Sequence, residues 1–323
     1  MVGKRVQGEL LTRFMAGDRV ALARTLTHAE NGTEQFPSLY DELYARCGQA
    51  VRIGVTGPPG AGKSTLVEAL ALHYRKDDEH TVGIVAVDPT SPFSGGALLG
   101  DRVRMQRLTL DPGVFVRSMA SRGSVGGLAQ TTDEVADIMD AFGFPRVFIE
   151  TVGVGQSEVD VASSAGTTLV VLFPGAGDAI QAMKAGLMEI ADIFVVNKAD
   201  LPGADRVEVE ISDMLHLRPE IDGWQPPILK CSAHNDEGIA EISEAIASHQ
   251  QALIDSGELE RRRRDHLEHT IKRIVEAAVR TEIWEKQGQL EMLESVIAEG
   301  KNLSPFSLAE RIVKRIFDEV RRS

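Results

Sequence analysis

The chain has 323 residues, of which 43% are hydrophobic and 26% charged, and its net charge is −13. These proportions belong to a globular protein and exclude a disordered or fibrous one. The acidic balance argues against nucleic acid or an anionic membrane as a partner, because phosphate recognition needs clustered positive charge. Cys47 and Cys231 are the only cysteines, too few and too far apart for a disulfide framework or a CxxC site. No run approaches the roughly 18 apolar residues of a membrane span, and the opening MVGKRVQGELLTRF carries charge where a signal peptide is apolar. The expectation is a cytoplasmic protein with no membrane association.

Residues 1–45 are predicted to form a helical segment, with Leu10, Leu11 and Phe14 on one face and a break at Gly17-Asp18, where Asp18 can cap the next helix. The pattern then changes to short β-branched runs. VRIGVTG (51–57), TVGIVAVD (81–88), RVFIE (146–150), TTLVVLF (167–173) and DIFVV (192–196) are apolar on both faces, and PPILKCSA (226–233) is a sixth candidate. Strands of this kind separated by helical stretches predict an α/β fold with a doubly wound, mostly parallel sheet whose ligands bind beyond the strands' carboxyl ends. Further on, Leu267, Ile271, Ile274 and Ala278 recur at 4-3-4 spacing within 258–300. A narrow apolar seam on a charged helix needs a partner, so this segment is expected to pair two subunits. After a break at Asn302-Leu303-Ser304-Pro305, Leu308, Ile312 and Ile316 mark a last helix, with Ser304 or Ser307 as its cap. The expected organisation is a helical segment at 1–45, an α/β domain at 46–250 and a helical extension, a dimerisation arm, at 251–323.

Gly57-Pro58-Pro59-Gly60-Ala61-Gly62-Lys63-Ser64-Thr65 fits GxxxxGK[ST] between a predicted strand and a predicted helix. Its glycines let backbone N–H groups turn toward phosphate oxygens, Lys63 supplies a cation, and the Ser64 hydroxyl suits Mg2+. Asp88 and Glu150 end two strands, and Asp101 lies in the glycine-rich SGGALLGDR. All three are candidates near the metal, although Mg2+ takes few protein carboxylates at once. Asn197-Lys198-Ala199-Asp200 follows the strand ending at Val196. A carboxylate at Asp200 can accept from guanine N1–H and N2–H2 and cannot do so from adenine. Asn197 can bridge neighbouring loops, and the Lys198 stem can cover the purine face. Ser232 and Ala233, with His234 beside them, follow the final strand and offer a backbone donor to the guanine oxygen. The ligand is therefore GTP or GDP with Mg2+. In Glu150-Thr151-Val152-Gly153 the glycine can donate its N–H to a γ-phosphate and sense hydrolysis. Val154 stands where Ras-like proteins carry a water-orienting glutamine, so slow intrinsic hydrolysis is expected unless Gln156, Arg102 or Arg104 is brought in.

Together GPPGAGKST (57–65), VDPTSPFSGGALLGDRVRM (87–105), RGSVGGLA (122–129), ETVGVGQSEVD (150–160), PGAGDAIQAMKAGLMEIAD (174–192), NKAD (197–200) and GWQPPILKCSAHNDEGI (223–239) resemble the MeaB/ArgK family of the SIMIBI class of P-loop GTPases. The resemblance covers nearly the whole chain in order. It implies a GTPase chaperone that gates cofactor loading and protects or reactivates an adenosylcobalamin-dependent acyl-CoA mutase. It also implies a C-terminal helical arm that pairs a homodimer. It makes Asp88, Asp101 and Glu150 the acids around Mg2+, and places a partner-coupling switch at Asp178, Gln181 and Lys184. Ala179 and Ala185 depart from a glutamate and a lysine common in the family. The client is thus read as methylmalonyl-CoA mutase or an isobutyryl- or 2-hydroxyisobutyryl-CoA mutase relative.

Plainer readings hold elsewhere. Arg261 to Arg264 lie among acids without interleaved aromatics and are expected on a solvated face or in dimer salt bridges. His266 and His269 read as surface histidines, and Trp224 as packing. Two other functions compete, a kinase linked to amino-acid transport and a metal-delivery GTPase. The first would need an acceptor pocket with a general base, the second a cluster of thiols or imidazoles.

Overall fold

Strands that are apolar on both faces have one stable setting, a parallel sheet covered on each side, and a computed structural model of the chain shows it. The structure describes residues 2–76, 81–88, 105, 107–108, 110–120, 127–151, 164–175, 187–216, 223–284, 293–296, 298 and 304–320. Among these residues there are seven strands: β1 (Val51–Thr56), β2 (Val82–Asp88), β3 (Val114–Ala120), β4 (Arg146–Thr151), β5 (Thr167–Leu172), β6 (Ile193–Val196) and β7 (Ile228–Lys230). They lie in the order β3-β2-β4-β1-β5-β6-β7, and every neighbouring pair is parallel. Val55 stands opposite Glu150 on one side and Leu169 on the other. The carboxyl ends of β1, β4 and β5 thus open side by side.

Residue alternation assigns the two faces. Ile53, Val55, Phe148, Leu169, Val171, Ile193 and Val195 share one core with α4 (Lys63–Tyr74) and α8 (Ile239–Asp255). On the opposite face Val85, Val87, Val147 and Ile149 pack with α1 (Val2–Met15), α2 (Arg19–Glu30), α3 (Phe36–Tyr44) and α5 (Gly127–Phe142). The short α6 (Leu187–Ile190) and α7 (Ala204–Leu215) cover Val170, Leu172, Phe194 and Val196 on that same side. Asp18 caps α2 as expected, accepting from Val20 N at 2.8 Å.

The structure departs from the sequence expectations at an edge strand and at the arginine run. Strand β3 was absent from the predicted set of six because Arg117 and Ser118 interrupt its apolar run. As an edge strand it needs no apolar residue there, and Arg117 pairs with Glu30 at 2.5 Å instead. The arginine run is likewise more than a solvated face. Arg262, on α9 (Glu258–Trp284), donates to Gly166 O at 3.1 Å and pairs with Asp192 at 3.1 Å and Glu258 at 3.3 Å. Arg263 donates to Gly48 O at 2.8 Å. These contacts tie the first turns of α9 beneath the amino ends of β1, β5 and β6.

Residues 1–263 form one compact unit and 264–323 a second. Residue 250 lies inside α8, whose Leu253 is buried. In the second unit Leu267, Ile271, Ile274, Val275 and Val279 are all between 43% and 54% exposed. The helix α10 (Pro305–Val320) begins after Ser304, whose hydroxyl accepts from Ser307 N at 3.3 Å. Among the described residues no helix is long and apolar enough to cross a membrane.

Candidate nucleotide site

The glycines after β1 are dictated by space as well as by backbone angle. Gly57 has φ +138°, and a Cβ there would lie 2.1 Å from Val171 O; one on Gly62, at φ +84°, would lie 2.5 Å from Asn197 Nδ2. A bulkier residue at either position would push the loop off β5 or off the loop after β6. The chain then enters α4 at Lys63, with backbone N–H groups at the helix start. The Lys63 ammonium is buried and donates to Gly57 O at 2.7 Å and Pro58 O at 3.1 Å. This holds the cation inside the loop that phosphates would enter.

Ser64, one residue on, donates from its hydroxyl to Glu150 Oε1 at 2.5 Å. Glu150 is itself buried near the end of β4. Thr151 donates to Thr56 Oγ1 at 3.1 Å, both residues being fully buried. That bond ties the strand carrying the acid to the strand carrying the loop, a pairing that the sequence motifs did not reveal because neither threonine belongs to one. A hydroxyl and a carboxylate side by side are the hard oxygen donors that Mg2+ takes, so the residues present fit that ion. Asp88 ends β2, opposite Ala120 of β3, but its side chain lies outside the described residues. So do Asp101, Gly153, Val154, Asp178, Gln181 and Lys184.

The second half of the site is built around Asn197, which is 2% exposed. Its Nδ2 donates to Ala61 O at 2.8 Å in the phosphate loop. Its Oδ1 accepts from Lys198 N at 2.8 Å, Ala233 N at 3.1 Å and Cys231 Sγ at 3.4 Å. One amide therefore joins three loops. Lys198 takes a left-handed φ of +59°, which turns the chain so that Asp200 comes to the loop after β7. There Ser232 Oγ donates to Asp200 Oδ1 at 2.6 Å. This hydrogen bond, with one from its own backbone, holds the Asp200 carboxyl below the usual carboxylate range, so the group remains an acceptor. Cys231, buried beneath, has its thiol pushed up to about 12 by burial, and it acts as packing. Its contact with Asn197 was not legible in the sequence, since thiols are not part of the guanine motif.

A parallel sheet with a glycine loop feeding α4 and an NKxD loop one strand from the edge is the architecture of a P-loop GTPase. The family profile described as "Methylmalonyl Co-A mutase-associated GTPase MeaB" matches residues 22–288, and the chain belongs to that family. A Pyrococcus abyssi protein provisionally named a GTPase is 46% identical over 313 residues, covering 95% of this chain and 96% of that protein. GTPase ArgK of Escherichia coli is 37% identical and covers 86% of each chain. The crystal structure of a LAO/AO transport system kinase matches with a TM-score of 0.73 at 30% identity, over 97% of this chain and 98% of that one. The protein is a guanine-nucleotide-binding GTP hydrolase.

Proposed function

We propose that the protein uses GTP hydrolysis as a chaperone of an adenosylcobalamin-dependent acyl-CoA mutase, gating cofactor loading and protecting or reactivating its client in the cytoplasm. The observation that carries this reading is membership of a family described as associated with methylmalonyl-CoA mutase. The client is methylmalonyl-CoA mutase or a relative acting on isobutyryl- or 2-hydroxyisobutyryl-CoA.

In this reading the loop 57–65 holds the phosphates and Lys63 turns from the carbonyls of Gly57 and Pro58 toward β- and γ-phosphate oxygens. Ser64 and Glu150, with Asp88 and Asp101, are the residues that would hold Mg2+, which supplies positive charge to the phosphoryl oxygens when bound. Water attacks the γ-phosphorus, the bond to the β-phosphate oxygen breaks, and GDP and phosphate leave. Gly153 reports the γ-phosphate through its N–H, and Asp178, Gln181 and Lys184 pass the nucleotide state to the client. Val154 leaves the attacking water without a glutamine, so turnover alone is slow and a partner raises it. Asn197, Lys198 and Asp200, with Ser232, Ala233 and His234, select guanine.

The exposed stripe on α9 supports a homodimer paired through residues 251–323. A test of the chaperone role is light scattering of the protein mixed with a purified mutase under GDP and under a non-hydrolysable GTP analogue. A complex whose stability differs between the two nucleotides is expected. Absence of any complex in either state would refute the role. The name of the solved kinase relative favours a second reading, phosphoryl transfer to a small molecule. Labelled phosphate appearing on an acceptor other than water would establish it.

A further inference from the structure

Phe173 directly follows β5 and belongs to no nucleotide motif, yet it meets both halves of the site. A Cβ on Gly60 of the phosphate loop would lie 4.0 Å from Phe173 Cζ. On its other side the Lys198 ammonium sits 4.7 Å from the centre of the phenyl ring. Lys198 Cε in turn lies 3.9 Å from where a Cβ on Gly62 would be. The lysine stem is therefore stretched along the phosphate loop, with its charged end seated on an aromatic face. Phe173 is itself half-buried and packed against the cores on both sides of the sheet, which fixes its ring.

We infer that Phe173 is a positioning residue for guanine-nucleotide affinity, acting through the Lys198 stem that covers the purine face. A free lysine stem samples many rotamers, and ordering it on binding costs affinity. A cation held over a ring by the ring's quadrupole has lost that freedom before the nucleotide arrives. The inference rests on the assignment of residues 197–200 as the guanine loop and adds to it a residue outside the motif.

The experiment is a double-mutant cycle on the full chain, with GDP affinity measured by calorimetry for the unsubstituted protein, Phe173→Leu, Lys198→Met and the double variant. Phe173→Leu is expected to weaken GDP binding about three- to tenfold. Phe173→Tyr keeps the aromatic face and should stay within about twofold. In the Lys198→Met background, where the apolar stem remains but the charge is gone, Phe173→Leu should cost nothing further, because the pair shares one interaction. A leucine that weakens binding equally with and without the lysine charge would overturn the inference and reduce Phe173 to packing. Thermal melts without nucleotide check that each variant folds; if the leucine variant does not, Lys198→Met alone carries the test, and its binding GDP as tightly as the unsubstituted protein would overturn the inference. Equal affinity of the unsubstituted protein for GDP and ADP would instead remove the guanine assignment beneath it.

Discussion

Asn197 Nδ2 donates to Ala61 O across 2.8 Å, a bond between the loop proposed to read the base and the loop proposed to hold the phosphates. The same side chain accepts from Ala233 N at 3.1 Å on a third loop. One buried amide thus ties together the loops proposed to meet both ends of a nucleotide. Asn197→Ala leaves the donors and acceptors of two loops without it, at about 1–3 kcal/mol for each buried group lost. The expected result is GDP and GTP affinity lower by about tenfold or more, with a lower melting temperature in the absence of nucleotide. Calorimetric titration and thermal melts measure the two effects.

Asp200 should control which base is bound. A carboxylate can accept from two donors on guanine, and an amide offers one acceptor and one donor in the same place. Asp200→Asn is expected to weaken GTP by about tenfold or more and to strengthen XTP, whose 2-oxygen accepts where guanine donates. Competition between the two nucleotides for a fluorescent GDP analogue reads the ratio. Unchanged preference would place base recognition elsewhere.

The chemistry-bearing half of this site was legible because its motifs are contiguous. Residues 57–65 and 197–200 each specify a strand, a turn and a side chain in a few positions, and the fold brings them together as their order demanded. What escaped was contact between motifs. Thr56 and Thr151 are 95 residues apart in sequence and meet only because β1 and β4 are neighbours in the sheet. Strand β3 escaped because an edge position tolerates Arg117, and Arg262 because nothing in a run of four arginines says which one turns inward.

Asp192 supplies the pH dependence. Burial alone would raise its carboxyl, but the His249 imidazole at 3.3 Å and the Arg262 guanidinium at 3.1 Å outweigh burial and hold it below the usual carboxylate range. A carboxyl lowered on folding stabilises the protein above its unfolded value, about pH 4. That stability is lost as pH falls through the lower, folded value. Melting temperature followed from pH 7 down to about pH 3 should therefore fall less steeply in Asp192→Asn than in the unsubstituted protein. Parallel curves would show that Asp192 carries no such linkage.

The exposed stripe on α9 makes a prediction of its own. Ile271 is 52% exposed within it, and a charge there opposes burial against a second apolar seam. Ile271→Glu is expected to convert a dimer to a monomer in light scattering while leaving GDP affinity within about twofold. A monomeric mass for the unsubstituted protein would remove the dimer from the account.

If this guanine-nucleotide site serves a B12-dependent acyl-CoA mutase, as proposed, the client must act on its hydrolysis. That dependence is tested most directly by measuring GTP and ATP turnover of the purified protein, alone and titrated with candidate mutases from the same genome. The expected result is slow turnover selective for GTP that rises with one mutase and saturates at a fixed stoichiometry. Turnover indifferent to every mutase, or a preference for ATP, would contradict it.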